Sequence, residues 1–188
     1  MHRVLVIGSG GAGKSTFAKD LAMRTGLPLV HLDALYWRAG WVETPKTEWT
    51  DVVERLLAQE RWVMDGNYGG TLDRRLAACD TVVFLDLPRW VCLWRVIRRW
   101  IQYRGQTRPD MAAGCEERLT WEFVMWIWRY PADRRSPILK RLSLLGTGQR
   151  VIVLRSGSEA RRFLEALSAD AGPNTILKRR PYMVAWNR

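Results

Sequence analysis

The stretch GSGGAGKS at residues 8–15 follows directly on the apolar run VLVI at residues 4–7. A short run of β-branched and aliphatic residues indicates a strand that is buried on both faces, as in a parallel sheet. Residues 14–24 carry apolar side chains at helical spacing, so the glycine-rich stretch connects a strand to a helix. This order is the start of a βαβ unit, and it predicts the fold class.

The glycine-rich loop matches G-x-x-x-x-G-K-[ST] at every fixed position. Its glycines allow backbone N–H groups to surround a phosphate chain, and the following helix adds its positive end. In this motif the lysine contacts the β- and γ-phosphates, and the hydroxyl after it ligates Mg²⁺. We therefore expect ATP to bind here, with Lys14 and Ser15 in those two roles. The nucleotide-binding residues predicted are Gly8, Ser9, Gly10, Gly11, Ala12, Gly13, Lys14, Ser15 and Thr16.

The rest of the chain alternates in the same way, which predicts an α/β fold with a parallel sheet and helices on both faces. Further strands are predicted at residues 29–32, 62–64, 81–85 and 151–154. Helices are predicted at residues 47–59, 72–78, 89–103, 116–130, 138–145 and 158–168. Within this pattern, residues 34–46 are expected to form a loop, Thr71 to cap a helix, and the helix before Pro131 to stop there.

Composition is that of one globular domain: 188 residues, 47% hydrophobic and 26% charged. We expect a kinase-like domain over residues 1–172, with an excursion at about 103–118, and a basic tail over residues 173–188. The net charge of +11 favours anionic partners, among them nucleic acid, although a plain basic surface is an equal alternative.

Three cysteines without paired spacing favour neither a disulfide framework nor a zinc site. This pattern is typical of the cytoplasm. No stretch approaches the roughly 18 apolar residues of a membrane span, so no membrane partner is expected. The oligomeric state, monomer or dimer, stays open.

Three predicted strands end in a carboxylate: Asp33, Asp65 and Asp86. Since ligands bind beyond the carboxyl ends of parallel strands, these side chains are candidates for a common site. We expect Asp65 to serve Mg²⁺, with Asp86 as the alternative. Asp33 is assigned to the acceptor substrate, where it accepts a proton from a hydroxyl or orients it. Each could instead cap a helix, and His2 and His31 are interpreted as structural.

The helix from residue 89 places Arg95, Arg98, Arg99 and Gln102 on one face by their spacing. The mobile excursion that follows carries Arg108. Arginines match the charge that spreads over phosphate oxygens during phosphoryl transfer. We therefore expect Arg95, Arg99 and Arg108 to stabilise this charge, with the excursion closing as a lid. Weaker candidates for the same cluster are Arg118 and Arg129. A solvated basic face is the alternative.

The aromatic residues Tyr36, Trp37 and Trp41 are expected to form an acceptor pocket beside Asp33. Those near residue 123 (Trp121, Phe123, Trp126, Trp128 and Tyr130) are interpreted as core or lid packing, with stacking on a base as the alternative.

Taken together, these stretches resemble the adenylate-kinase-like group of P-loop kinases. Within that group, residues 31–37, 62–68, 84–95 and 103–111 are similar to a bacterial family of DNA topology modulation proteins of the FlaR type. The resemblance covers residues 1 to about 167. It implies a five-stranded parallel sheet in the order 2-3-1-4-5, with a short helical lid.

The resemblance also implies site residues. Asp65 matches the aspartate of the Asp-Gly signature that lies near Mg²⁺, and Arg95 and Arg99 match phosphate-contacting arginines before the lid. Adenylate kinases continue Asp-Gly with Phe-Pro-Arg. This chain has Asn67-Tyr68-Gly69 instead, which argues against a nucleoside monophosphate acceptor.

The leading hypothesis is therefore a small ATP- and Mg²⁺-dependent kinase. Its acceptor is a nucleotide, a nucleoside or a small hydroxylated metabolite. Two alternatives are an ATP-dependent nucleic-acid-binding protein that affects DNA topology, and a nucleotide-gated binding module with negligible turnover.

Overall fold

A computed structural model describes the backbone of residues 1–170 and the side chains of residues 1–167. The basic tail expected at residues 173–188 lies outside the described residues. The strands are β1 (Arg3–Gly8), β2 (Leu29–His31), β3 (Trp37–Arg38), β4 (Val42–Glu43), β5 (Trp62–Asp65), β6 (Thr81–Leu85) and β7 (Arg150–Leu154). The helices are α1 (Lys14–Thr25), α2 (Leu32–Tyr36), α3 (Lys46–Leu57), α4 (Gly69–Ala78), α5 (Arg89–Gln102), α6 (Trp121–Tyr130), α7 (Ser136–Ser143) and α8 (Gly157–Asp170).

Five strands form a parallel sheet in the order β2-β5-β1-β6-β7. Counted without the small β3–β4 hairpin, this is the order 2-3-1-4-5, so the predicted fold class is confirmed. The register places His31 opposite Asp65, and Asp65 opposite Val6. The carboxyl ends of β2, β5 and β1 therefore meet at one edge, directly before the glycine-rich loop.

Two hydrophobic cores cover the two faces of this sheet, because successive side chains of a strand point to opposite sides. Leu5 and Ile7 of β1 belong to the core beneath α3, α4 and α7. Val4 and Val6 belong to the core beneath α1, α5 and α8. Within the described residues, no helix is long and apolar enough to cross a bilayer.

Residues 34–46 do not form the expected loop. They contain α2, which extends over Asp33, and the β3–β4 hairpin. The hairpin is closed from the side by Thr44, whose backbone N–H and hydroxyl both donate to the carbonyl of Tyr36, at 3.0 and 2.6 Å. The two bonds hold the end of α2 against the end of the hairpin, so this segment has a defined conformation instead of an irregular one.

Two predicted helix boundaries are wrong. Helix α4 begins at Gly69, two residues before Thr71, and Tyr68 occupies the cap position. The chain also continues helically past Pro131, through a π-helical turn (Pro131–Arg135), into α7. Proline lacks the N–H of an ordinary helical turn, and the wider turn accommodates that loss.

The segment between α5 and α6 differs from the expected helical lid. It consists of turns and two isolated β-bridges, which pair Arg104 with Glu117 and Thr107 with Glu116. Helix α6 accordingly starts at Trp121 rather than near residue 116, with the Thr120 hydroxyl accepting from the Phe123 N–H at 3.2 Å. Residues 103–118 are called the lid below.

Candidate functional site

The glycine-rich loop is held between two helices that pack against it. Gly11 has a φ of +76°, and a Cβ there would lie 2.2 Å from the carbonyl oxygen of Cys92 in α5. A Cβ at Gly10 would lie 2.7 Å from Phe123 in α6. Because the contact at Gly11 is with backbone and its φ is positive, only glycine fits there. A glycine-rich turn of this kind lets backbone N–H groups point at a phosphate chain.

Lys14 begins α1 and turns back over the loop. Its Nζ donates to the carbonyl oxygens of Gly8 and Ser9, at 3.0 Å each. Burial lowers the pKa of Lys14, and the charges of Asp33 and Asp65 oppose that shift. The ammonium group therefore lies in the electrostatic field of both carboxylates that the sequence assigned to the site.

Asn67 anchors the first glycine of the loop, a role that the sequence interpretation missed. Its side-chain oxygen accepts from the Gly8 N–H at 3.1 Å, and its amide donates to the Gly8 carbonyl at 2.7 Å. The two residues are 59 positions apart, so no local pattern reveals the pair. The contact fixes the loop to the end of β5.

Arg75 was also missed. It is fully buried on α4 and donates to the carbonyls of Gly66 and Tyr68, at 2.8 and 2.9 Å, and to that of Asn67. Burial lowers its pKa to about 10. The loop after β5 therefore folds around this guanidinium, which supports the left-handed backbone of Tyr68, with φ of +30°.

Asp65 is buried at the end of β5. Its Oδ1 lies 2.7 Å from Nδ1 of His31, within hydrogen-bonding distance. Burial lowers the pKa of His31, but the hydrogen bond and charge of Asp65 outweigh it and raise the pKa. His31, interpreted from the sequence as structural, thus contacts the proposed metal ligand, a contact that the sequence did not predict. Its place opposite Asp65 in the sheet is the reason.

Asp86, the alternative metal ligand, is engaged elsewhere. The Arg135 guanidinium donates to both of its carboxylate oxygens, at 2.8 to 3.0 Å. The contact of Asp65 with His31, by comparison, involves its Oδ1 alone. The bidentate ion pair with Arg135 thus distinguishes Asp86 from Asp65.

Asp33 lies in α2, next to the aromatic side chains of Tyr68 and Tyr36. Its Oδ1 accepts from the Tyr68 hydroxyl at 2.6 Å. Burial raises the pKa of Asp33, while the Tyr68 hydrogen bond and the charge of Lys14 oppose the rise. The ring of Tyr36 packs on those of Trp49 and Tyr68, at 5.1 and 4.6 Å between centres. Trp49 and Tyr68 thus extend the predicted pocket of Tyr36, Trp37 and Trp41.

The predicted arginine face is divided. Arg95 donates to the Ala12 carbonyl of the glycine-rich loop at 3.0 Å, and Arg99 binds Glu117 of the lid at 2.7 Å. Arg98 instead stacks on Trp94 at the surface. Of these three arginines, Arg95 thus contacts the glycine-rich loop and Arg99 contacts the lid.

The lid arginine Arg108 shares a carboxylate with Arg99. Glu117 is buried, and its second oxygen lies 2.7 Å from Arg108 Nε. Asp110 adds a contact to Arg108 Nη1 at 3.0 Å. Glu117 and Asp110 are not among the predicted site residues, because an acidic residue in a loop has no distinctive local pattern.

The weaker arginine candidates lie elsewhere. Arg118 packs over the ring of Trp41, with 4.8 Å between the guanidinium carbon and the ring centre. Arg129 lines a recess beside the π-helical turn, together with Glu122 and Arg134. Neither contact brings Arg118 or Arg129 to the carboxylate of Glu117, which joins Arg99 and Arg108.

Comparison with known proteins supports the fold and places the chain in a family. No known protein-family model matches the chain. A structure of shikimate kinase from Acinetobacter baumannii in complex with shikimate matches with a TM-score of 0.53 and 17% identity, over 90% of this chain and 94% of the other. A gluconokinase from Sinorhizobium meliloti 1021 matches with a TM-score of 0.47 and 18% identity, over 90% and 95%.

At the level of sequence, the chain is 30% identical to the "Uncharacterized protein YqaC" of Bacillus subtilis (strain 168) over an alignment 129 residues long, which covers 66% of this chain and 70% of YqaC. The sheet order and the glycine-rich loop agree with the kinase-like P-loop fold of the structural match. The chain therefore has a P-loop kinase fold and belongs to the same family as YqaC.

Proposed function

We propose that this chain is a small kinase that transfers the γ-phosphoryl group of ATP to a hydroxyl of a small acceptor. The observation that carries the proposal is the position of Lys14, whose Nζ lies 3.0 Å from the carbonyl oxygens of Gly8 and Ser9, at the sheet edge where β5 ends at Asp65 and Asp33 follows β2. A phosphate-binding lysine and a carboxylate suited to a hydroxyl are the two parts that such a transfer needs.

In this reaction the bond between the γ-phosphorus and the bridging oxygen of ADP breaks, and a bond forms to the acceptor oxygen. The acceptor's proton goes to Asp33 as the carboxylate. A raised pKa makes Asp33 a stronger base than an exposed aspartate, and its hydrogen bond with Tyr68 fixes the position of the carboxylate. Lys14, Arg95, Arg99 and Arg108 balance the charge on the phosphate oxygens.

Mg²⁺ fits the donor atoms of the site. The Ser15 hydroxyl and the Asp65 carboxylate are hard oxygen ligands, which Mg²⁺ prefers. Within residues 1–167, no group of three or more His, Cys, Asp or Glu side chains could hold a metal ion. When bound, Mg²⁺ supplies charge neutralisation at the β- and γ-phosphates.

The acceptor lies on the Asp33 side, against Tyr36, Trp37 and Trp41. A nucleotide, a nucleoside and a small hydroxylated metabolite each present a hydroxyl to Asp33. The similar structure from Acinetobacter baumannii is a shikimate kinase with shikimate bound. Hydroxylated carboxylates therefore belong in the set of acceptors to be tested.

The three cysteines of the chain are buried and unpaired, which supports a reducing compartment such as the cytoplasm.

The experiment incubates the protein with Mg²⁺ and γ-labelled ATP and with separate acceptors: nucleoside monophosphates, nucleosides, shikimate, gluconate and short single-stranded DNA. We expect label on one small acceptor. Lys14→Ala should remove transfer and weaken ATP binding at least 10-fold, whereas Lys19→Ala, an exposed lysine of the same helix, should change neither. Labelling that survives in Lys14→Ala refutes the proposal.

The nucleic-acid alternative follows from the net charge of +11 and from the resemblance to DNA topology modulation proteins. It predicts ATP hydrolysis that DNA stimulates, with no labelled small product. A binding module predicts ATP binding without turnover for any acceptor. The same assay therefore separates the three hypotheses.

A further inference from the structure

Helix α5 leaves one apolar face in contact with water. Trp90, Trp94, Ile97 and Ile101 are 62%, 60%, 44% and 66% exposed, and Val91 beside them is 36% exposed. Their spacing places them along one side of the helix, opposite the buried Cys92 and Val96. Taking about 200 Å² per tryptophan side chain, the two tryptophans alone expose on the order of 240 Å². With Val91, Ile97 and Ile101 added, the exposed apolar area reaches several hundred Å², the range in which the largest apolar patch of a protein is often functional.

The charged residues of α5 beside this face are basic. Residues 89–102 contain no acidic residue, and Arg89 lies over the ring of Trp90, whereas Arg95 and Arg99 contact the glycine-rich loop and the lid. Arg98 stacks on Trp94, with 5.5 Å between the guanidinium carbon and the ring centre. Beyond the helix, Arg104 stacks on Trp100 at the same distance. Cations thus lie directly beside the apolar side chains, and a partner of negative charge is favoured.

We propose that this face of α5 binds the surface of a membrane that contains anionic lipids, with the helix lying in the interfacial plane. Three of the five exposed apolar residues, Val91, Ile97 and Ile101, are aliphatic, and such side chains enter the acyl region. Tryptophan favours the headgroup level, and arginine is attracted to anionic headgroups. The proposal does not depend on the kinase reaction.

Two other occupants fit the face less well. Single-stranded nucleic acid would stack on Trp90 and Trp94, but bases gain little from the three aliphatic residues. A second copy of the chain would place Arg98 near like charges, which costs affinity. The proposal departs from the expectation of no membrane partner, which rested on the lack of a stretch long enough to span a bilayer. Binding at the surface requires only an amphipathic face.

The test is co-sedimentation with two kinds of vesicle. One kind contains phosphatidylcholine alone, and the other contains phosphatidylcholine with about 30 mol% phosphatidylglycerol, which gives an anionic surface. We expect at least 10-fold stronger partitioning to the anionic vesicles. The double variant Trp94→Ser, Ile101→Ser should lose at least 10-fold in partitioning. Arg98→Gln should lose about 5-fold, the effect of one basic residue near such a surface.

Leu144→Ser is the matched control, because Leu144 is 76% exposed but lies outside α5. It should leave partitioning unchanged, and ATP binding should be unchanged in every variant, which shows that each is folded. The single variant Ile101→Ser serves if the double variant does not fold.

Absent binding to anionic vesicles overturns the proposal, as does binding that the α5 variants do not weaken. It is also overturned if the same variants abolish binding to short single-stranded DNA or dissociate a dimer, measured by anisotropy and light scattering, while vesicle binding persists.

Discussion

The indole Nε1 of Trp41 donates to the carbonyl oxygen of Glu116 at 2.9 Å, which joins the acceptor-side hairpin to the lid. Two more bonds run between the same segments: the Gly40 N–H donates to the Gly114 carbonyl at 3.0 Å, and the Cys115 thiol contacts the Arg38 carbonyl at 3.2 Å. The lid that carries Arg108 and the hairpin that follows Asp33 are therefore mechanically coupled. Under the proposed function, an acceptor that orders the hairpin would also order the lid.

Replacing Trp41 by alanine should loosen the lid. It removes the bond to Glu116 and the surface on which Arg118 stacks, each worth about 1 kcal/mol. We expect amides of residues 104–117 to exchange with solvent at least 10-fold faster, measured by hydrogen exchange and mass spectrometry. Val42→Ala, at an exposed neighbour in the hairpin, is the control. Equal exchange in both variants would contradict the coupling.

Glu117→Gln should remove the negative charge that pairs with both Arg99 and Arg108. The Glu117 side chain is 2% exposed, and removal of one member of a buried ion pair leaves the other charges uncompensated. We expect a loss of about 3 kcal/mol in the free energy of unfolding, measured by denaturant titration. Glu116→Gln is the matched control, since Glu116 is exposed and bonds through its backbone. A loss below that of the control would show that the pairing is not structural.

The stability of the protein should depend on the ionisation of Asp33. Burial raises the pKa of Asp33 above the ordinary 3.8, so the folded state binds its proton more tightly than the unfolded chain does. This contribution is present below the unfolded pKa and is lost as pH rises through the folded pKa. Asp33→Asn removes the dependence. The difference in melting temperature, variant minus wild type, should therefore grow in the positive direction from pH 4 to pH 7.

Asp51→Asn supplies the comparison for that measurement, because Asp51 is exposed on α3. The difference measured for this variant is the baseline with which the Asp33→Asn difference is compared. If the Asp33→Asn difference instead falls with pH, the carboxylate is stabilised by folding and the assigned direction of its pKa shift is wrong.

Arg75→Met should strongly destabilise the protein. It leaves the carbonyls of Gly66, Asn67 and Tyr68 without their donor, and each unsatisfied buried acceptor costs about 1 kcal/mol or more. We expect a loss of about 3 kcal/mol in the free energy of unfolding. Arg74→Met, at the exposed neighbour that pairs with Glu54, should cost less than about 0.5 kcal/mol. Similar losses in both variants would refute the role of Arg75.

Nucleotide affinity gives a second readout for Arg75, because the loop it supports carries Asn67, which in turn fixes Gly8. We expect the dissociation constant for ATP to rise about 10-fold in Arg75→Met, measured by calorimetry at a temperature where the variant remains folded. An unchanged constant would separate the stability of this loop from the geometry of the glycine-rich loop.

Local signals in the sequence were sufficient for the main elements of the fold. The apolar run before Gly8, the loop pattern and the helix after Lys14 are all adjacent in the chain, so short-range periodicity and glycine chemistry predict them. The strand order came from the resemblance to P-loop kinases, and the structure confirms it. By contrast, the cap at Thr71 and the stop at Pro131 were wrong, because distant contacts and a wider helical turn override local preferences.

The glycine-rich phosphate-loop motif and the carboxylates at the ends of β5 and β6, Asp65 and Asp86, could be predicted from the amino-acid sequence, because these features depend only on neighbouring residues. Asp33, predicted at the end of a strand, lies in α2 instead. The tertiary structure sets which groups meet. It paired His31 with Asp65 through the sheet register, bound Asn67 to Gly8, and placed Glu117 between Arg99 and Arg108. His31 and Asp65 lie 34 positions apart in the chain, Gly8 and Asn67 lie 59 apart, and Arg99 and Glu117 lie 18 apart. Contacts between residues so far apart depend on how the strands and helices pack, which no short pattern in the sequence encodes.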